Sequence, residues 1–310
     1  MKPSILCVGN ANISIHYGIP KPKMCGNMNA DTFQMLPSGF AVTCALAVNA
    51  LGGEGYPCCK IGNDFFGNRI KQCIQSAGSQ TRFVYQDKEL STGSVCNLGD
   101  DVSVCYSGAN LSLSEDDIEN AMLSYPDAVV VDMKAGDEIA YCAVTNAMKY
   151  KLCTICSFSD LKAIDMDTAN DFDYIKNCDI IVVDSVSAHT LTGVSPSSPD
   201  LCVKVCLDII YRFSSKYVVL RLDERGSLSY DGKHCEFYPG IDSSEAFGDI
   251  SKISFIASFS LDYVRNNNVG HACRAANIVS AYAEMHTSDI TNLPTADQIN
   301  KYVKEQELKI

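Results

Sequence analysis

The segment between residues 180 and 222 decides the fold class of this chain. It contains Ile180-Ile-Val-Val183, then Leu201-Cys-Val-Lys-Val-Cys-Leu-Asp-Ile-Ile-Tyr-Arg-Phe213, then Tyr217-Val-Val-Leu-Arg-Leu222. The first and last runs are short and lack polar alternation, which is typical of strands buried on both faces. The middle run has the spacing of a helix. A strand, a helix and a strand in this order predict parallel strands covered by helices.

The same alternation extends over most of the chain. Further strands are predicted at Ile5–Val8, Ala128–Val131 and Leu152–Cys156, and helices at Ala41–Leu51, Asn68–Ala77, Ser114–Met122 and Glu138–Tyr150. The last third is predicted to be helical over Phe247–Arg265, Gly270–His286 and Thr295–Lys304. We therefore expect an α/β protein with a mostly parallel central sheet.

Two stretches interrupt this alternation. Ser14–Ser38 is polar, irregular and rich in Gly, Pro, Asn and Met, whereas Ser94–Ser107 alternates around Gly99-Asp-Asp101 like a β-hairpin. Ligands of open α/β sheets bind at the carboxyl ends of the strands. We expect the two stretches, about residues 13–38 and 92–108, to form a small β lid over those ends.

Composition narrows the class of protein. Hydrophobic residues make up 46% of the 310 residues, a fraction typical of globular proteins. The net charge is −12, from 25 Lys and Arg against 37 Asp and Glu. This charge argues against nucleic acid and anionic membranes as partners. No apolar run approaches the roughly 18 residues of a membrane span. We expect a soluble, cytoplasmic protein whose 16 cysteines are mostly reduced and packed as small hydrophobes.

Seven short motifs, in this order, carry a resemblance that covers nearly the whole chain. They are Ser38-Gly39-Phe-Ala with the alanine-rich run to Leu51-Gly52-Gly53, Lys60-Ile-Gly62-Asn-Asp64-Phe-Phe-Gly67, Ser107-Gly108-Ala109-Asn110, Leu222-Asp-Glu-Arg-Gly226, Ala246-Phe247-Gly248-Asp249, Ala275-Ala-Asn277 and Leu293-Pro294-Thr295. The chain thereby resembles the ribokinase-like, or phosphofructokinase-B type, carbohydrate kinases.

This resemblance implies one three-layer α/β/α domain over residues 1–310. It implies transfer of the γ-phosphate of ATP to a hydroxymethyl group of a small sugar or sugar-like metabolite, with ATP and Mg²⁺ as cofactors. It also implies a homodimer formed through the lid. The sequence does not specify the acceptor.

The resemblance also assigns candidate site residues. Asp249 corresponds to the general base, and Ala246, Phe247 and Gly248 correspond to the anion hole at a helix N-terminus. The nucleotide side corresponds to Asp184, Arg221, Asp223, Gly226 and Asn277, and the acceptor side to Asn12, Ser14, Gly39 and Thr43. No residue is assigned as a direct metal ligand. An alternative role for Asp249 is to cap the helix that begins there, because Asp is a favoured N-cap.

Several positions depart from the family pattern where ligands should bind. Phe247 places a ring in the anion hole, and Glu245 brings a carboxylate that could occupy the anion position itself. The Asn-x-x-Glu element of the family falls on Asp184–Ser187, where Ser187 has no charge. Arg221 could bind phosphate or pair with Asp223, and we favour pairing.

These departures leave two alternatives to an active kinase. The first is a catalytically inactive kinase-like protein that binds a metabolite or a protein partner. The second is a dimerisation module that uses the lid, whose segment Phe33–Pro37 is apolar. We favour the kinase because Asp249, Gly248, Gly39 and Asn277 are retained.

Overall fold

A computed structural model of the chain describes residues 2–19, 27–99, 102–161, 172–242 and 248–309. The strands are β1 (Ser4–Val8), β2 (Asn12–Gly18), β3 (Thr32–Ser38), β4 (Glu54–Gly62), β5 (Val84–Asp87), β6 (Gly93–Leu98), β7 (Val102–Tyr106), β8 (Ala128–Asp132), β9 (Cys153–Phe158), β10 (Ile180–Asp184), β11 (Tyr217–Arg221), β12 (Gly226–Tyr230) and β13 (Cys235–Pro239). The α-helices are α1 (Phe40–Ala50), α2 (Phe65–Ser76), α3 (Glu115–Met122), α4 (Asp137–Lys149), α5 (Ser185–Thr192), α6 (Pro199–Phe213), α7 (Asp249–Asn266), α8 (Val269–His286) and α9 (Ala296–Glu305). In these ranges no helix is long and apolar enough to cross a membrane.

Nine strands form the central sheet, in the order β13-β12-β11-β10-β9-β8-β1-β4-β5. The strands from β11 to β5 run parallel, and β12 and β13 extend one edge as antiparallel strands. The mostly parallel sheet predicted from the sequence is therefore confirmed. Because parallel strands end at the same edge, the carboxyl ends of β1, β8, β9, β10 and β11 lie side by side.

Both faces of this sheet are buried, which accounts for the uniformly apolar strands. Along β1, Ile5 and Cys7 pack into the core beneath α1, α7 and α8, whereas Leu6 and Val8 pack into the core beneath α3, α4 and α6. Successive strand side chains point to opposite faces, so each strand supplies two cores. Most of the cysteines lie in these cores, where burial raises the pKa of thiols such as Cys59, to about 12.

Five elements of the main layers are absent from the predictions made on the sequence, namely β4, β5, β12, β13 and α5. The strand β4 contains Gly55 and Pro57, residues that normally argue against a central strand. Gly55 is required because a β-carbon there would overlap the carbonyl oxygen of Ala45 in α1. Close packing between α1 and β4 therefore requires Gly55, and a glycine in this position makes the strand harder to predict from the sequence.

A second sheet, in the order β3-β2-β6-β7, forms from the segments that the sequence assigned to the lid. Its strand β2 is antiparallel to β3 and parallel to β6. Asn12, Ser14 and His16 alternate with Ile13 and Ile15, so one face is polar and the other apolar. Asp100 and Asp101 of the predicted hairpin turn lie outside the described residues.

A glycine fixes the junction between the lid and α1. Gly39 precedes α1 with φ +98°, and a β-carbon there would overlap the carbonyl oxygen of Asn10. Gly78 also has a positive φ, +73°, but a β-carbon at this position would have no described residue within 4 Å apart from its chain neighbours. Alanine at either position would therefore strain the backbone, but only alanine at position 39 would also overlap a neighbouring atom.

We predict that Gly39→Ala lowers the free energy of unfolding by about 1–3 kcal/mol more than Gly78→Ala does, because only the first adds overlap to backbone strain. Urea denaturation of both variants checks this difference. Equal losses in the two variants would show that Asn10 moves aside at no cost.

Candidate active site

A cavity of about 800 Å³ lies between the lid, the carboxyl ends of the central strands and the N-terminus of α7. It brings together residues that are far apart in the sequence. Among the predicted site residues, those that line it are Asn12, Ser14, Gly39, Thr43, Gly248 and Asp249. The acceptor-side set and the predicted base therefore share one cavity.

Asp249 is the first residue of α7, and Gly248 is the N-cap residue. No side chain among the described residues caps this helix, so Asp249 does not serve as the cap that the alternative interpretation required. Its side chain is exposed in the cavity and has no hydrogen-bond partner in the described part of the chain. A carboxylate in this state is free to accept a proton from a bound hydroxyl group.

The anion site at the same helix N-terminus is partly engaged. The backbone N–H of Gly248 donates a 2.9 Å hydrogen bond to Oε2 of Glu284, which extends from α8. A carboxylate is favoured there by the helix dipole. The sequence analysis gave this role to Glu245, which lies outside the described residues together with Ala246 and Phe247. No local motif marks Glu284, because it comes from a different helix.

The acceptor side is held by hydrogen bonds between lid residues. Asn110 donates from Nδ2 to Oδ1 of Asn12, 2.7 Å away, and its Oδ1 accepts the N–H of Ala11. This bond holds the side chain of Asn12, a residue that lines the cavity. Ser14 donates to the hydroxyl oxygen of Ser38 at 2.8 Å. Asn110 is thus a positioning residue that the sequence placed in a motif but to which it gave no role.

Asp132, at the end of β8, is a buried carboxylate that lines the cavity. Its Oδ1 accepts the backbone N–H of Lys134 at 3.1 Å. Burial raises the pKa of Asp132 to about 6. The sequence analysis missed this residue, although an Asp that directly follows an apolar strand stands where ligands of such sheets bind.

The predicted nucleotide-side residues Asp184, Arg221 and Asp223 meet at the ends of β10 and β11, outside the cavity lining. Arg221 Nη1 lies 2.5 Å from Oδ1 of Asp223, and its Nη2 lies 3.7 Å from Oδ2 of Asp184. The pairing that we favoured is therefore present, but Asp223 follows the strand with φ +52° and is not on its face. Burial raises the pKa of Asp223, and the Arg221 and Lys252 charges offset part of the rise.

The residues at the Asn-x-x-Glu position do not fit a direct magnesium site. Asp184 accepts the N–H of Ser187 on Oδ1 and the N–H of Asp160 on Oδ2, both at 2.8 Å. The hydroxyl oxygen of Ser187 accepts the N–H of Leu161. In the ranges that the structure describes, no three acidic, His or Cys side chains are grouped to hold a metal. A magnesium ion would depend on phosphate oxygens and water for its ligands.

Gly226 and Asn277 also lie outside the cavity lining. Asn277 donates from Nδ2 to the carbonyl oxygens of Tyr238 and Pro239, at 3.1 and 3.3 Å. Gly226 has φ +100°, and a β-carbon there would overlap the carbonyl oxygen of Tyr238. In this structure both residues support the β12–β13 extension.

Lys252 lies one helical turn after Asp249 and also lines the cavity. Its Nζ contacts both carboxylate oxygens of Asp160, at 2.6 and 2.7 Å. Asp160 follows β9 and has φ +52°, a strained conformation for a residue with a β-carbon. The sequence analysis missed Lys252, because its spacing indicates only an ordinary helical residue.

Comparisons with known proteins identify the family and the fold of the chain. Residues 2–296 match the family described as pfkB family carbohydrate kinase. Mouse ribokinase is 25% identical over 259 residues, which cover 79% of this chain and 77% of the mouse protein. The structure of Arabidopsis thaliana ribokinase complexed with ribose and ATP superposes with a TM-score of 0.87 at 20% identity, and covers 98% of this chain and 99% of that one. Giardia lamblia ribokinase gives a TM-score of 0.83 at 16% identity, with coverage of 97% and 100%.

The chain belongs to the pfkB family of carbohydrate kinases, because the family match spans nearly its whole length. The resemblance inferred from the seven motifs is confirmed, and with it the class of enzyme, a sugar phosphotransferase. The solved structures are similar in fold.

We predict that Asp132→Asn is more stable than the parent protein at pH 7.5, by about 1–3 kcal/mol. A carboxyl whose folded pKa is raised favours folding below its unfolded pKa and loses that contribution as the pH rises through about 6. The advantage of the variant should therefore shrink at pH 5. Urea denaturation at both pH values measures it, and an advantage independent of pH would contradict a raised pKa.

Proposed function

We propose that this protein is an ATP-dependent kinase that phosphorylates a hydroxymethyl group of a small sugar or sugar-like metabolite, with Asp249 as the general base. The observation that carries the proposal is the position of Asp249. It is the first residue of α7, its carboxylate does not cap the helix, and it lines the cavity that the acceptor-side residues also line. A helix N-terminus offers free N–H groups to a phosphoryl group beside that base.

The reaction needs positioning and charge compensation more than covalent chemistry. Asp249 accepts the proton of the acceptor hydroxyl group while the oxygen of that hydroxyl group attacks the γ-phosphorus. The backbone N–H of Gly248 donates to the transferred phosphoryl group once Glu284 has moved away. Magnesium, if bound with the nucleotide, would supply charge neutralisation.

The lining of the cavity supports a polyhydroxylated acceptor. The lid contributes hydrogen-bonding side chains, among them Asn12, Ser14, His16 and Asn97, and the sheet contributes the carboxylate of Asp132. Hydroxyl groups of a sugar donate to carboxylates and accept from amides. A volume of about 800 Å³ accommodates a small sugar together with the phosphate end of a nucleotide.

Nucleotide binding is the first test of this proposal. Calorimetric titration with the β,γ-imido analogue of ATP, with and without magnesium, should show binding that requires magnesium. Absence of binding at millimolar nucleotide would contradict an active kinase.

The catalytically inactive alternative is favoured by one observation, the carboxylate of Glu284 on the N–H of Gly248. A carboxylate about 4 Å from a phosphate charge costs about 4 kcal/mol at an effective dielectric constant of 20. If the parent protein binds no nucleotide and Glu284→Gln does, then Glu284 closes the phosphate site and the protein acts as a binding module.

We predict that Asp249→Asn lowers kcat for phosphoryl transfer by a factor of about 100–10,000, because the amide cannot accept the proton. The affinity for the ATP analogue should change little. Steady-state kinetics on a sugar that the parent phosphorylates measures kcat. Asp200→Asn is the matched control, because Asp200 also lies in the first turn of a helix, α6, and does not line the cavity. Equal kcat in Asp249→Asn and the parent would refute the assignment.

We also propose that the lid forms a homodimer. Its apolar face leaves Tyr17, Phe33, Val104 and Tyr106 exposed, with Phe33 61% accessible.

We predict that Phe33→Asp shifts the protein from dimer to monomer in sedimentation velocity, since a charge is costly at a buried interface. A monomeric parent protein would contradict the dimer.

A further inference from the structure

The cavity contains a cation that the proposed mechanism does not yet use. Lys252 is 15% exposed, and its ammonium group contacts both oxygens of Asp160, which is 28% exposed. On a helix, side chains three residues apart lie on one face, so Lys252 is a neighbour of Asp249. Helical side chains also point back towards the N-terminus, which places the ammonium group over the first turn of α7.

Two further cations of the described residues lie near this site. Arg221 is buried and contacts Asp223. Lys134 follows β8 and lines the cavity, and its Nζ donates to the carbonyl oxygen of Asp160 at 3.3 Å. Lys252 also lies close enough to Asp223 for its charge to lower the pKa of that carboxyl group. It therefore stands between the nucleotide side of the site and the acceptor cavity.

The ion pair with Asp160 is compatible with a lysine that binds phosphate. Asp160 has its N–H bound to Asp184 and its carbonyl oxygen bound by Lys134, so its backbone is fixed independently of Lys252. The ammonium group can then exchange one anionic oxygen for another with little rearrangement of the chain. A phosphate oxygen offers Lys252 the same kind of charge-assisted hydrogen bond as the carboxylate, about twice as strong as a neutral one, and so competes with it.

We propose that Lys252 is a catalytic residue that leaves Asp160 and binds a non-bridging oxygen of the γ-phosphoryl group. This inference rests on the proposed kinase function. As the acceptor oxygen forms its bond to the γ-phosphorus, the bond to the β,γ-bridging oxygen breaks and ADP leaves with the electron pair. The acceptor proton passes to Asp249, and Lys252 keeps its own protons while it neutralises charge on the moving group.

The experiment compares two nucleotides that differ by the group Lys252 is proposed to bind. Calorimetry with magnesium and either the β,γ-imido analogue of ATP or ADP is carried out on the parent, Lys252→Met, Lys252→Arg and Asp160→Asn. We expect Lys252→Met to weaken binding of the ATP analogue by about 10- to 100-fold and to leave ADP binding unchanged. Lys252→Arg should restore most of the loss.

Asp160→Asn is the control for a purely structural ion pair. It removes the competing carboxylate, so the ATP analogue should bind this variant more tightly than it binds the parent, and binding no tighter than in the parent contradicts the inference. If both variants lose affinity alike, or if Lys252→Met loses ADP binding as well, the ion pair is structural and the inference is wrong. Unchanged binding in Lys252→Met also overturns it.

Two further outcomes separate this inference from the proposed function. A parent protein that binds neither nucleotide overturns the kinase proposal itself, and Lys252 loses its role with it. If thermal unfolding shows that Lys252→Met is not folded, Lys252→Arg and Asp160→Asn decide the question, because tighter binding in Asp160→Asn is expected only if the freed lysine meets the phosphate.

Discussion

The parallel direction of the central strands is the constraint on which the candidate site depends. Because β8, β9, β10 and β11 all end at one edge of the sheet, Asp132, Asp160, Asp184 and Arg221 are brought near one another although they span about 90 residues. Each face of the sheet is packed under helices, which holds the strands in place. The edge therefore offers polar side chains on a rigid support, and the lid closes the space above it.

Charge compensation at this edge takes place between side chains of the chain itself. Asp184, which stands at a position implied to organise magnesium, instead caps α5 and binds the backbone of Asp160. Arg221 is neutralised by Asp223, and Lys252 by Asp160. Both cations are thus paired with carboxylates of the chain itself. The proposed binding of phosphate by Lys252 is accordingly an exchange of one anionic partner, Asp160, for another.

The two faces of the lid sheet differ in their side chains and in their exposure. Alternation along β2 directs Asn12 and Ser14 to the cavity and Ile13 and Ile15 to the opposite face. The hydrogen bonds of Asn110 fix the polar face at the point where the lid meets the rest of the chain. The apolar face is covered only in part, because Phe33 remains exposed. The proposed ligand recognition and the proposed association of subunits thereby fall on different faces of the same strands.

The sequence by itself determined the fold class, because strands buried on both faces and amphipathic helices leave periodic signals that do not depend on distant contacts. It also marked Asp249 and Gly39 through the ordered motifs, and Asn12 through the family resemblance that those motifs carry. It missed β4, where close packing requires glycine, and it missed Asp132, Glu284 and Lys252, which acquire a role only from neighbours on other elements. Whether Asp249 caps its helix or stands free, and whether Arg221 is paired, were decided by the tertiary structure. The physical reason is that local patterns record which residues are buried, whereas charge pairing and pKa depend on which groups the folded chain brings within a few ångströms of one another.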